Sequence, residues 1–264
     1  MASRFPLEWT FHMNMNVSWV DSFVSRLPPG DVVLIADECD DAPTQYRWSS
    51  PHLNGLSDPL QIGARAAALK AIYDGALYIY CLGDYFPWQI GRPVEADLFQ
   101  DDCFSLVIAT EPFSPDWKNW RFAASESPFL HRVSLYLFLA HFDETVKNMM
   151  MFLGVNGPTW ITLYALKDFI GQAGWSEQQM ATGAGVSVAE VKRFRATANN
   201  FAAIGPYARH GELGWQPPSS PMGHEEAKNI MIRCVRAFFN QQISAKNLRE
   251  EFETKVSSAK TSEV

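Results

Sequence analysis

Gly154-Val155-Asn156-Gly157-Pro158 is the stretch on which the reading of this chain turns. Two glycines and a proline within five residues interrupt a regular element, because glycine reaches backbone conformations closed to other residues and proline lacks the donor that a helix needs. Before this stretch, short β-branched runs alternate with helical ones; beyond it only helical patterning continues. The expected fold class is α+β and helix-rich, a small strand-containing N-terminal part packed on an all-helical C-terminal part. The expected domains are residues 1–153 and 159–249. A flexible polar tail is expected over 250–264, where the chain turns charged and serine-rich.

Immediately upstream, Asp143-Glu144 opens a helix that should stop near Gly154. The helix before it starts at Ser127-Pro128, a capping hydroxyl followed by a proline suited to the first helical position. It runs to Phe142 and is apolar on nearly every face, so it should be central. Further back, helices are expected over Val17–Leu27 and Leu60–Tyr73, the second closed by Asp74-Gly75. Strands are expected at Val32–Ile35, Leu77–Leu82 and Phe104–Ala109, with loops up to Pro59 and an irregular connection around Pro87, Gly91 and Pro93.

Downstream, Thr159 caps a helix carrying Trp160, Leu163, Tyr164 and Leu166. Ser187-Val188-Ala189-Glu190 has the form in which hydroxyl and carboxylate satisfy each other's backbone donors, and it opens a helix to about Ala198. The last strong helix begins at His224-Glu225-Glu226, acids suited to the positive end of a helix dipole. Ala227, Ile230, Met231, Cys234, Val235 and Phe238 then recur at the spacing of a core-facing stripe.

Of the 264 residues 47% are hydrophobic and 19% charged, a balance that supports a packed core and excludes disorder along most of the chain. The longest apolar run, Ser134–Phe142, falls well short of the roughly 20 residues a bilayer-crossing helix needs, so no membrane association is expected. Residues 1–16 carry no basic start followed by an apolar block, and Cys39, Cys81, Cys103 and Cys234 form no C-x-x-C pair. Both features point to a cytoplasmic protein without a disulfide framework. Residues 1–150 hold 19 acids and 10 Lys/Arg, a net of −9, whereas residues 151–264 hold 10 and 12, a net of +2. That asymmetry argues against a general nucleic-acid binder but leaves room for a local basic face in the second half.

The densest acidic cluster, Asp37-Glu38-Cys39-Asp40-Asp41, follows a predicted strand, and Asp101-Asp102 precedes another. Carboxylates at strand ends can hold Mg²⁺. However, no nearby lysine or histidine completes a hydrolytic set, so Asp37, Glu38, Asp40 and Asp41 are expected to form a solvated loop and no metal site. Gly183-Ala184-Gly185 lacks the strand and lysine of a phosphate-binding loop and reads as a turn into the Ser187 cap. No cofactor is implied. His131 and His141 are expected to be ordinary helix residues, one partly buried and one at the surface.

The segment from Arg193 to His210 concentrates the remaining chemistry. Lys192, Arg193, Arg195, Asn199 and Arg209 are candidates for holding an anion, and Arg209 with His210 are the candidate catalytic residues. Arginine offers a bidentate fork to phosphate, and histidine exchanges a proton near neutral pH. The competing expectation is a helix–helix corner in which the asparagines cap backbone groups and Arg209 bridges carbonyls or an acid.

Trp160…Leu163-Tyr164, Phe194…Ala198-Asn199, Ala208-Arg209-His210-Gly211 and Pro221-Met222…Glu226-Ala227 together resemble a helical C-terminal module of uncharacterised bacterial proteins, over Thr159 to about Phe239. That grouping implies no activity. A looser likeness is to HEPN domains, helical bundles that include metal-independent ribonucleases with an arginine and a histidine a little over one helical turn apart. Arg209 and His210 are adjacent here. Arg47 and His52 have the wider spacing, but Trp48-Ser49-Ser50-Pro51 is a poor helix interior. The expected function is a non-catalytic interaction or regulatory protein whose partner is another protein. The alternative is a metal-independent ribonuclease or RNA-binding module centred on Arg209 and His210. A Mg²⁺-dependent hydrolase using the Asp37 cluster stands third.

Overall fold

A computed structural model describes residues 7–14, 30–39, 42–94, 110–115, 128–212 and 214–261. The helix expected over Val17–Leu27 and the strand expected over Phe104–Ala109 lie outside them. The strands are β1 (Thr10–Asn14), β2 (Val33–Cys39), β3 (Ala42–Ser49) and β4 (Gln89–Pro93). The helices are α1 (Pro59–Tyr80), α2 (Pro128–Ala140), α3 (Glu144–Asn156), α4 (Trp160–Gln172), α5 (Glu177–Ala184), α6 (Val188–Ala198), the single turn α7 (Phe201–Ile204), α8 (His224–Ala245) and α9 (Leu248–Thr261). The fold is α+β and helix-rich. Among the described residues no helix is long and apolar enough to cross a membrane. Two compact units divide the chain: residues 1–73, 86–138 and 249–264, and residues 74–85 and 139–248.

The first unit holds an antiparallel sheet in the order β2-β3-β1-β4. β3 occupies part of the expected loop. Its Tyr46 and Trp48 are buried while Gln45 is exposed and Arg47 half-buried, the two-residue alternation of a strand with one face in the core. Trp48 stacks on Phe11 with ring centroids 5.2 Å apart and meets Trp88 at 5.4 Å. Three large aromatics from three chain segments thus supply much of the apolar burial on this face. β4 occupies the expected irregular connection. Gly91 fits there because a Cβ would lie 2.8 Å from the His12 carbonyl oxygen, where β1 also shifts register. In place of a polar tail the chain forms α9, whose Phe252 is buried against Phe138 at 5.4 Å between centroids.

In the second unit, the expected strand over Leu77–Leu82 is instead the last turn of α1 and the bend that ends it. Ala76, Leu77, Tyr78 and Ile79 are all buried, so an apolar run of strand length is here one side after another of an enclosed helix. Gly75, read as a stop, lies within α1 at a close helix approach: a Cβ there would be 2.0 Å from the Met150 carbonyl oxygen. Asp143 caps α3, and Gly157, at φ 63°, ends it before Thr159 caps α4. α4 and α5 both pack against α8. The expected stripe of Ala227, Ile230, Met231, Cys234, Val235 and Phe238 is buried throughout. α5, absent from the sequence reading, opens on a reciprocal cap between Ser176 and Gln179 of the same kind that Ser187 and Glu190 make for α6.

Candidate functional site

Arg209 lies in the second unit, just beyond α6 and α7. Asn199 ends α6, and Asn200 caps α7 by accepting from the Ala203 N–H at 3.0 Å. Gly205, at φ 63°, turns the chain into a short 3₁₀ segment, Gly205–Tyr207. The Arg209 N–H then donates to the Ala198 carbonyl at 2.9 Å, pinning the returning strand of chain to the end of α6. This turn brings the guanidinium over Tyr164 of α4, with its carbon 4.5 Å from the ring centroid, and within 3.3 Å of Asp168 one turn further along. Asn199 Nδ2 donates to the Tyr164 hydroxyl at 3.2 Å, so the same ring is held from a second direction. The cation–ring contact contributes about 0.5–1 kcal/mol at an exposed site, and the half-exposed ion pair adds a similar amount at most. His210 makes an edge contact with Trp215, at 6.0 Å between centroids. The structure therefore engages Arg209 and His210 with separate neighbours.

The other anion-holding candidates lie on α6. Arg193 is paired with Glu226. Arg195 reaches Glu177 at 2.8 Å, and Glu177 also draws Lys167 to 3.5 Å. Lys192 is exposed and has no acidic partner among the described residues. Elsewhere in this unit the buried stem of Lys228 carries its ammonium to Asp84 and Glu225, each at 2.6 Å. The candidate cations are thus largely neutralised by acids of neighbouring helices, and Lys192 retains its charge on the outer face of α6.

In the first unit, Asp37 of the acidic cluster is bound by Arg47 across the β2–β3 pair at 2.6 Å. A carboxylate so engaged is a poor start for a Mg²⁺ site, because the guanidinium already satisfies its charge. Asp40, Asp41, Asp101, Asp102 and the side chain of Glu38 lie outside the described residues. The side chain of His131 also lies outside the described residues, and His141, in the second unit, is half-buried.

His52, noted in sequence for its spacing from Arg47, has partners that the sequence did not indicate. It sits in a 3₁₀ turn, Pro51–Leu53, opened by Ser50. Its Nε2 is 2.8 Å from Asp31 Oδ1, and its Nδ1 accepts from the Ser114 N–H at 2.9 Å. Because Nδ1 accepts from a backbone amide, the neutral ring carries its proton on Nε2 and donates to Asp31. Ser50 Oγ donates to the Asp31 carbonyl at 2.6 Å and accepts from the His52 N–H at 3.1 Å, while Arg65 donates to the His52 carbonyl at 3.2 Å. Asp31 and His52 are both buried. With a partner at each nitrogen, the imidazole is arranged to pin three chain segments rather than to take a proton from a substrate. Its partners are 21 and 62 residues away, beyond the reach of any local motif. Comparison with protein-family models, curated proteins and solved structures finds no match to this chain.

Proposed function

We propose that this is a non-catalytic regulatory protein that works by binding another macromolecule. The observation that supports this reading is the division of labour at the predicted catalytic pair. A metal-independent ribonuclease needs its arginine and histidine aimed at one phosphate, one to stabilise charge and the other to move a proton. Here Arg209 is engaged by Tyr164 and Asp168, and His210 by Trp215. The same corner exposes Tyr207, two residues before Arg209, and Trp215, which meets His210; they are 64% and 53% accessible. Tyrosine, tryptophan and arginine are the residue types that dominate binding energy at protein interfaces, which keeps another protein as an expected partner. The unpaired thiols of Cys81 and Cys234 accord with a cytoplasmic location.

The test is purified protein with labelled single-stranded RNA and tRNA, with and without EDTA, beside thermal melts of Arg209→Ala and His210→Ala. The expected result is no cleavage by any form. Arg209→Ala should lose about 1 kcal/mol, from the ring contact and the ion pair together, and melt about 2–4 °C lower. EDTA-insensitive cleavage that disappears in both variants at unchanged melting temperature would refute the non-catalytic reading.

A further inference from the structure

α5 is eight residues long, α6 is eleven, and Gly185-Val186-Ser187 joins them. Gly185 closes α5 in the left-handed region, at φ 66° and ψ 40°, and Ser187 opens α6 by a reciprocal cap with Glu190. A three-residue turn containing glycine is how a helix-turn-helix sets two short helices at a steep angle. The inner faces are closely packed: Met180, Ala181, Ala184, Val191 and Phe194 are each at most 4% accessible. The pair is also anchored from outside. Phe194 stacks on Trp160 of α4 at 6.0 Å, and Gly183 lets α5 approach α8 so closely that a Cβ would sit 2.9 Å from that of Ala237. Arg195 ties the far half of α6 to Glu177, the first residue of α5.

What this leaves outward is a stripe along α6 of Ala189, Lys192 and Ala196, with Arg195 beside it, all exposed. The stripe carries no acid. Glu190, the acid of α6, is turned back on Ser187, and Glu177 is held by Arg195 and Lys167. Lys192 supplies a positive charge that no acid among the described residues neutralises. A helix with small side chains and a free lysine on its outer face can enter a groove about 12 Å wide, where alanine methyls meet thymine methyls and lysine meets guanine or phosphate. The major groove of B-form DNA has that width, whereas that of an RNA duplex is too narrow to admit a helix.

We propose that α5 and α6 form a helix-turn-helix that binds double-stranded DNA with α6 in the major groove. This rests on the regulatory reading above and adds double-stranded DNA to the protein partner expected at the Arg209 corner. The experiment is selection of bound duplexes from a random 20-base-pair library with the full chain, followed by anisotropy titrations of the enriched duplex. The expected result is a shared motif bound about 1,000-fold more tightly than a scrambled duplex. Lys192→Glu and Ala189→Glu should each weaken binding at least about tenfold without lowering the melting temperature, since both side chains are exposed. Lys192→Ala should reduce the slope of log affinity against log salt by about one if the lysine meets a phosphate. No enriched motif, unchanged binding by both glutamate variants, or equal competition by duplex RNA would each overturn the proposal. RNA cleavage by the same preparation would count against the non-catalytic reading alone, which keeps the two failures apart.

Discussion

Burial governs the chemistry of the Cys81 and Cys234 thiols. Desolvation, followed by the nearby Asp84 carboxylate, pushes the Cys81 thiol up to about 11, and desolvation pushes Cys234 up to about 12. The thiolate is the reactive form, so at pH 8 only a very small fraction of Cys81 is poised to react. Peptide mapping after iodoacetamide treatment at pH 8 should show both cysteines modified at least about a hundredfold more slowly than in the unfolded chain. The Cys81 rate should climb about tenfold per pH unit as the thiolate fraction grows toward pH 11. Alkylation of Cys81 in the native protein at the speed of an open thiol would contradict this. At the residue scale the sequence shows what is local. The Ser187–Glu190 cap is legible because its partners are three residues apart; the stacking of Arg209 on Tyr164 is not, because no periodicity links positions 45 apart. The same cap carries a pH signature. Backbone and side-chain hydrogen bonds from Ser187 hold the Glu190 carboxyl below its ordinary range. Its contribution is therefore present above that range and is lost as the pH falls through the lowered value.

Whole elements were legible where capping and periodicity agreed, as in α3, α4, α6 and α8. They were misread where glycine or proline served packing rather than termination. Gly75 is the clearest case. After Asp74 it resembles a helix stop, yet α1 runs on to Tyr80 because the glycine is where the backbone of α3 comes against it. Gly75→Ala should therefore destabilise despite alanine's better helix propensity, by about 1–3 kcal/mol as the helices are forced apart. A denaturant titration reads this directly, and an unchanged or raised midpoint would show that the two helices can separate at little cost. β3 and β4 were missed for related reasons. Proline and serine at the ends of β3 read as loop, although Tyr46 and Trp48 alternate inward, and Gly91 in β4 reads as irregular although it is where β1 passes close. α5 was missed although Ser176 and Gln179 repeat the pattern recognised at Ser187.

For the whole molecule, the patterning of short β-branched and helical runs was enough to read the α+β class, and the count of charged residues the difference between the two halves. It could not reveal that each compact unit is assembled from separated stretches of chain, because contacts between distant segments leave no local mark. α9 shows this best: a polar sequence carries a single Phe252 that is 1% accessible and packs on Phe138 in the first unit. Phe252→Ala should remove about 3–5 kcal/mol, the usual cost of emptying a buried aromatic site, and calorimetry showing less than about 1 kcal/mol would place that residue outside the core. Phe252 also imposes a timetable. A ribosome adds about 5–20 residues per second, so Phe138 is made on the order of ten seconds before the ring that covers it. The second unit, whose last residue is 248, is fully synthesised within that interval. The first unit, which holds Phe138, is therefore completed only after the whole of the second, and until then Phe138 lacks the ring that packs on it from α9.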